Sequence, residues 1–357
     1  MLEIISTTAL FLIILSFLVL LHEWGHFIAA RIFGIAVEEF GLGFPPRAAI
    51  IKKGKRTTYT LNWLPFGGFV KLKGEQGESA SDSDSFVAKP IWQRIIVLGA
   101  GVFMNIAFTV LVFTIGFSIG MPQSIDGLSA SADIRDKHIQ VIGVLSDTPA
   151  ALGGLQAGDI IEKIDGVEFP SIASVQEFVG TKSGIELPID IKRGGQKRTL
   201  RIAPSIRGEN TKATFGIELI AIGTVSYPLP IAFYEAGRTT IALVQTIFQT
   251  LGSAIRTLQF DGFVGPVGIA KHTAKAAELG FSYLLNLMAL ISLSLGIFNV
   301  LPIPALDGGR ILFALIEGVR RRSMRPEIEN AIHLIGFVIL LGLLVLVTAR
   351  DIGNLIR

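Results

Sequence analysis

The chain contains no cysteine, which excludes disulfide staples and every thiolate-bound zinc site. Any metal must then be held by His, Asp or Glu, and histidine is itself scarce, occurring only at positions 22, 26, 138, 272 and 333. Charge is in short supply too: 17% of the 357 residues are charged, against 50% hydrophobic. The mean hydropathy of +0.58 places such a chain among integral membrane proteins, with the lipid bilayer as its first partner. The formal net charge is only +3. No basic stripe is interleaved with aromatics, so nucleic acid is not expected as a partner.

An apolar run opens at Ile4, carries no charge as far as Leu21, and continues to about Phe33. Its start carries Glu3 and no Lys or Arg, and no small-x-small cleavage site follows, so the run reads as a retained transmembrane helix, not a signal peptide. Within it stands His22-Glu23-Trp24-Gly25-His26. On a helix His22 and His26 lie one turn apart with their rings on one face, which is half of a tetrahedral zinc site. Glu23 lies about 100° around the helix from His22, beside the metal, where a carboxylate can take a proton from water. The H-E-x-x-H pattern therefore reads as metal-assisted hydrolysis. Membrane depth strengthens this reading, because ionisable groups cost roughly 2.5–3.5 kcal/mol each there and a cation compensates them.

Basic residues gather between 34 and 91, which is expected to face the cytoplasm, leaving the N-terminus outside. Gly41 to Pro46 is turn-rich and lacks helical period. Thr57 to Lys73 alternates as a hairpin, with Tyr59, Leu61 and Trp63 on one strand face and Gly67 and Gly68 in an apolar turn. The hairpin is either an ordinary cytoplasmic one or one that dips toward the site and offers an edge to an extended peptide. Residues 74 to 86 read as a mobile polar loop. A second span is expected over Trp92 to Met121, with Asn105 among small residues; such an Asn serves either interhelical hydrogen bonding or the site.

Residues 122 to 226 alternate as strands and resemble a PDZ domain, most specifically in Ala157-Gly158-Asp159 and Ile164-Asp165-Gly166. A long loop translocates whatever its charge, so this segment is expected outside. A PDZ groove, here expected between Val141–Leu145 and Val175–Val179, either takes a peptide by strand addition or serves as a cap without ligand. Pro228 to Leu258 reads as an amphipathic surface helix, with a further span as the alternative. Gly262 to Ile269 should break helical structure before a span that starts near Phe281 and runs through Asn299. Pro302 and Pro304 are expected to bend it and leave Asp307, an intramembrane carboxylate with a functional meaning, beside Gly308 and Gly309. Arg320, Arg321, Arg322 and Arg325 mark a second cytoplasmic loop before a last span over Ile328 to Thr348, whose His333 lies too far along to be a ligand.

His22-Glu23-x-x-His26 on the first span, Asn299-x-x-Pro302-x-Pro304-x-x-Asp307-Gly308 after the third, and a PDZ insertion between them resemble the bacterial site-2 proteases, nearest the branch of the regulator of sigma-E protease. The resemblance implies a polytopic α-helical membrane protein of about four spans, with an inserted extracytoplasmic PDZ domain and a membrane-associated β-hairpin. It divides the chain into 1–121, a first catalytic half; 122–226, the PDZ domain; 227–280, an amphipathic segment; and 281–357, a second half. It implies Zn2+ held by His22, His26 and Asp307, with Glu23 as the base, in the bacterial inner membrane. The implied substrates are single-span membrane proteins, of anti-sigma factor type or remnant signal peptides. Their contacts are expected at Asn105, Asn299, Tyr59, Leu61, Trp63, Gly67 and Gly68. Antiparallel spans ending on one side would bring Asp307 level with His26. Two features depart from the family pattern: Pro45 stands where a glycine is usual, and there is one PDZ segment where better-known members carry two.

Overall fold

A computed structural model describes residues 2–75, 78, 81–125, 128, 131–206, 212–257, 264–322 and 325–356. Gln76 and Ser79, within the expected polar loop of 74–86, and Gly262 lie outside the described residues. The described residues form two compact units, one of 1–114 with 233–357 and one of 115–232.

The first unit is mainly helical. The uncharged N-terminal run becomes α1 (Leu2–Ile32), and the second apolar run becomes α2 (Ile91–Ile119). After α5 (Leu229–Thr257) and α6 (Pro266–Leu279) come α7 (Phe281–Val300), α8 (Asp307–Arg320) and α9 (Pro326–Ile356). Among the described residues four helices are long and apolar enough to cross a bilayer, over Thr8–Ile32, Ile91–Ile119, Phe281–Val300 and Glu327–Gly353. Their lengths suit a hydrocarbon core of about 30 Å. Helix α6, where only a break in helical structure is expected from the sequence, packs against α1, α7 and α9; Pro266 sits in its first turn, where a missing N–H costs nothing.

Between α1 and α2 lie β1 (Val37–Lys53) and β2 (Thr58–Leu72). The stretch from Gly41 to Pro46 lies within β1, where the sequence reads as a turn: Gly41 and Leu42 have partners on both sides, and Phe44 pairs with Leu64. Residues 39–42 pair with 68–71 on one side and with 58–61 on the other, and 47–53 pairs with 58–62. Two edges remain, 68–72 and 47–53. The apolar tip leaves Trp63, Leu64 and Phe66 exposed. The loop that follows is better anchored than its polar composition implies. Asp82 and Asp84 each lie 2.8 Å from Lys73 Nζ and raise its pKa, and Ser85 and Phe86 are buried.

Past Val300 the chain breaks where a bend is expected. Residues 301–306 form a turn, and a new helix, α8, starts at Asp307. A Cβ on Gly308 would strike the Val300 and Leu301 carbonyls, and one on Gly309 that of Ile303. The glycine pair is what lets α8 begin against the turn that precedes it.

The second unit holds a six-stranded antiparallel sheet in the order β3-β8-β4-β5-β6-β7. Its strands are β3 (Met121–Ser124), β4 (Asp133–Val144), β5 (Ile160–Ile164), β6 (Leu187–Arg193), β7 (Gln196–Ile202) and β8 (Ile217–Ser226). Two short helices, α3 (Pro149–Leu152) and α4 (Ile172–Gly180), accompany it. Alternate strand residues Val141, Ile164, Leu187, Ile189 and Ile191 close a core with Val175 and Val179 of α4. The buried Asp159 carboxylate is gripped at 2.6 and 2.7 Å by Arg193 Nε and a terminal guanidinium nitrogen, the bidentate geometry that makes burial tolerable. The groove beside α4 is not built by Val141–Leu145, since β4 has β8 and β5 on its two sides. Its strand is the start of β8, which β3 flanks only from Ile222 onward. Ile217 and Leu219 there face Ile172, Val175 and Val179 across a cavity of about 670 Å³.

Candidate metal centre

The centre is assembled where α1, α2, the sheet and α8 meet. The His22 and His26 rings, both buried, have centroids 4.8 Å apart. Asp307, at the start of α8, sets Oδ2 2.9 Å from His22 Nε2 and 3.3 Å from His26 Nε2. Donors bound to one tetrahedral zinc at about 2.0–2.1 Å stand about 3.3 Å from each other, so both distances from Asp307 Oδ2 are close to the spacing such a cation needs. The ligand atom that Glu23 offers lies within 4.8 Å of those of the two histidines. Its Oε2 accepts a hydrogen bond from Val70 N at 3.0 Å, which turns that carboxylate toward the 68–72 edge of the sheet.

Close helix approach makes this possible. A Cβ on Gly25 would collide with the Ala100 carbonyl of α2, and one on Gly101 would sit 2.5 Å from His26 Nε2 and 2.6 Å from His22 Nε2. Both imidazoles therefore face a space next to Gly101 that any larger residue would fill. The outer ring nitrogens are engaged as well. His26 Nδ1–H donates to the Val97 carbonyl at 2.8 Å, and His22 Nδ1 lies 3.2 Å from the Asn105 side-chain amide. With the outer nitrogens so occupied, the Nε2 atoms are left to face Asp307.

These groups line a cavity of about 440 Å³ together with Gly68, Phe69, Val70, Glu75, Asn299 and Arg310. Three carboxylates, Glu23, Glu75 and Asp307, face one guanidinium, Arg310. The excess of two negative charges is what a divalent cation would neutralise. The residues present thus fit a zinc ion in spacing, donor type and charge.

Of the residues singled out from sequence, Asn105, Asn299 and Gly68 line this cavity with the four charged groups. Tyr59 lines a separate apolar groove with Phe17, Leu21, Trp24 and Phe108, Leu61 and Trp63 are exposed, and Gly67 is buried next to the Phe44 ring. The strand carrying Tyr59 and Leu61 is interior to the sheet, so the edge beside the site is 68–72 instead.

Other participants escape a reading by motif. Arg310 of α8 pairs with Glu75, which also accepts from Leu72 N at 3.3 Å. His333 is not among the converging donors; its Nδ1 accepts from Ala305 N at 2.8 Å and pins the turn before Asp307. Gly101 and Asn105 carry a visible signal, since small and polar residues four apart mark one helix face. Glu75 and His333 carry none, because their partners lie far away in sequence.

Comparison with known proteins follows the same outline. A model of peptidase family M50 matches residues 10–343. A Clostridium perfringens protein named provisionally as a zinc metalloprotease is 37% identical over 343 residues, covering 96% of this chain and 97% of that protein. The zinc metalloprotease RasP of Shouchella clausii is 29% identical over 435 residues, covering 98% of this chain and 99% of its own length. Among solved structures, the PDZ domain of an SdrC-like protein from Listeria monocytogenes is 30% identical, with a TM-score of 0.22, and covers 23% of this chain and 85% of that chain.

Proposed function

This chain belongs to peptidase family M50 and is a zinc metalloprotease with several helices able to span a membrane; from that premise we propose that it cleaves single-span membrane proteins inside the bilayer. The observation that carries the proposal is the meeting of His22 Nε2 and His26 Nε2, on a helix apolar enough to cross a membrane, with Asp307 Oδ2 at the start of α8. In this reading His22, His26 and Asp307 hold the ion and Glu23 is the base. Zinc, when bound, supplies a Lewis acid that polarises the scissile carbonyl and makes water acidic.

Glu23 takes a proton from the attacking water as the oxygen–carbon bond forms, and returns it to the amide nitrogen as the carbon–nitrogen bond breaks. Two further tasks fall to the chain. A transmembrane helix hides its carbonyls in its own hydrogen bonds, so the substrate must be held unwound. The 68–72 edge borders the cavity and can pair with an extended peptide by strand addition. Asn105 and Asn299, also on the cavity wall, are placed to meet its polar groups.

The basic residues around the sheet and at the end of α8, among them Lys52, Lys53, Arg320 and Arg321, support a cytoplasmic location for both segments. The 122–226 segment then lies outside the bacterial inner membrane, and its groove along β8 is a site for an extended peptide. Substrates of the anti-sigma factor type, or remnant signal peptides, suit an enzyme that acts on single spans.

Zinc per purified chain and cleavage of a model single-span substrate test the assignment together. Glu23→Gln should stay loaded with zinc and lose cleavage. Asp307→Asn should lose zinc as well, and full occupancy in that variant would remove Asp307 from the ligand set.

A further inference from the structure

The two histidines differ in what holds them. His26 Nδ1–H donates to a main-chain carbonyl, that of Val97, which cannot turn and so fixes that ring in one tautomer. On its Nδ1 side His22 has, among the described residues, the Asn105 side chain instead, whose Nδ2 stands 3.2 Å from Nδ1. Asn105 is fully buried and lines the cavity, and its Oδ1 has no hydrogen-bond partner among the described residues. Its backbone is clamped, since the Asn105 carbonyl accepts from Thr109 Oγ1 at 2.9 Å and from Ser292 Oγ of α7 at 3.0 Å. The side chain is thereby held beside His22.

A half-turn about the terminal torsion of an Asn exchanges its oxygen and nitrogen at almost no steric cost. With Nδ2 toward His22, the ring accepts on Nδ1, its proton sits on Nε2, and Nε2 has no lone pair for a metal. With Oδ1 toward His22, Nδ1–H donates to the amide oxygen and the Nε2 lone pair is free. Metal-bound histidines nearly always donate their other N–H to an acceptor, which fixes tautomer and ring orientation.

We propose that Asn105 is a positioning residue whose side-chain oxygen accepts from His22 Nδ1–H and so selects the tautomer that ligates through Nε2. The same half-turn points the amide nitrogen away from His22 as a buried donor for a peptide carbonyl in the cavity. This inference rests on His22 being a zinc ligand, as proposed above.

The test uses the full-length protein in detergent and measures zinc affinity by competition with a chelator. Asn105→Leu should weaken zinc binding by about 10–100-fold, the usual effect of losing such a partner. Asn105→Asp, which keeps the acceptor, should bind within a few-fold of wild type. In protein labelled with ¹⁵N-histidine and loaded with zinc, the signals that His22→Ala removes should show a proton on Nδ1 and metal on Nε2. Equal weakening by Leu and Asp would mean a structural role only, and unchanged affinity in both would mean none; either overturns the proposal. So would a His22 metallated through Nδ1, a readout on the wild type that holds even if a variant fails to fold. Zinc binding that His22→Ala leaves intact would instead remove the ligand assignment itself.

Discussion

One methyl group at position 101 is enough to test the whole centre. The Cβ of an alanine there would fall within 2.6 Å of both imidazole Nε2 atoms, nearer than any real contact and in the space the ion would occupy. Rings held by Val97 and Asn105 cannot both back away without losing those bonds. Gly101→Ala should therefore give protein that inserts normally but carries far less than one zinc per chain, measurable by elemental analysis. Normal loading would mean the ion sits elsewhere. The Glu23 and Asp307 variants act through chemistry; this one acts through space alone.

At the scale of elements, the turn between α7 and α8 decides where Asp307 stands. Ala305 has a φ of 78°, a left-handed conformation that costs a residue with a Cβ roughly 1–2 kcal/mol. The His333 acceptor for the Ala305 N–H helps hold it there. Ala305→Gly should raise the thermal midpoint in detergent without changing zinc content, because it relieves strain and touches no ligand. His333→Leu should lower the midpoint, since the part-buried Ala305 N–H loses its partner, at a cost of about 1 kcal/mol, and should reduce zinc occupancy as Asp307 loosens. Loss of stability with full zinc would show that the turn does not position the carboxylate. This turn also marks how far the sequence could be read. The two prolines promised a disturbance of the helix, but whether the chain bends or breaks depends on Gly308 and Gly309 fitting under the carbonyls of residues 300–303, which is tertiary information. The sheet repeats the lesson: alternation pointed to 57–73, while the partner strand enters the turn-rich Gly41–Pro46 stretch, where Gly41 and Leu42 are strand because other strands flank them.

Considered as a whole molecule, the chain keeps its proposed chemistry and its inserted domain in separate compact units. His22 and Asp307 are 285 residues apart, yet both belong to the first unit. Motif spacing made each half of the centre readable, since one carries H-E-x-x-H and the other an acid among glycines in an apolar context. What joins them is packing among α1, α7 and α8, invisible in either motif. The second unit has its own core, drawn from residues between Ile139 and Phe215, and Tyr227 N donates to the Phe117 carbonyl at 2.8 Å, so the chain enters and leaves it at adjacent points. Residues 119–225 can accordingly be replaced by a short glycine-rich bridge without stretching the chain. The shortened protein should bind zinc at the wild-type stoichiometry and cleave a generic single-span substrate. Its choice among substrates should change, because the β8–α4 groove is gone. Cleavage of a panel of single-span proteins differing in their external segments would read that change. A monodisperse, shortened protein without zinc would show that the inserted unit takes part in building the centre, against the division proposed here.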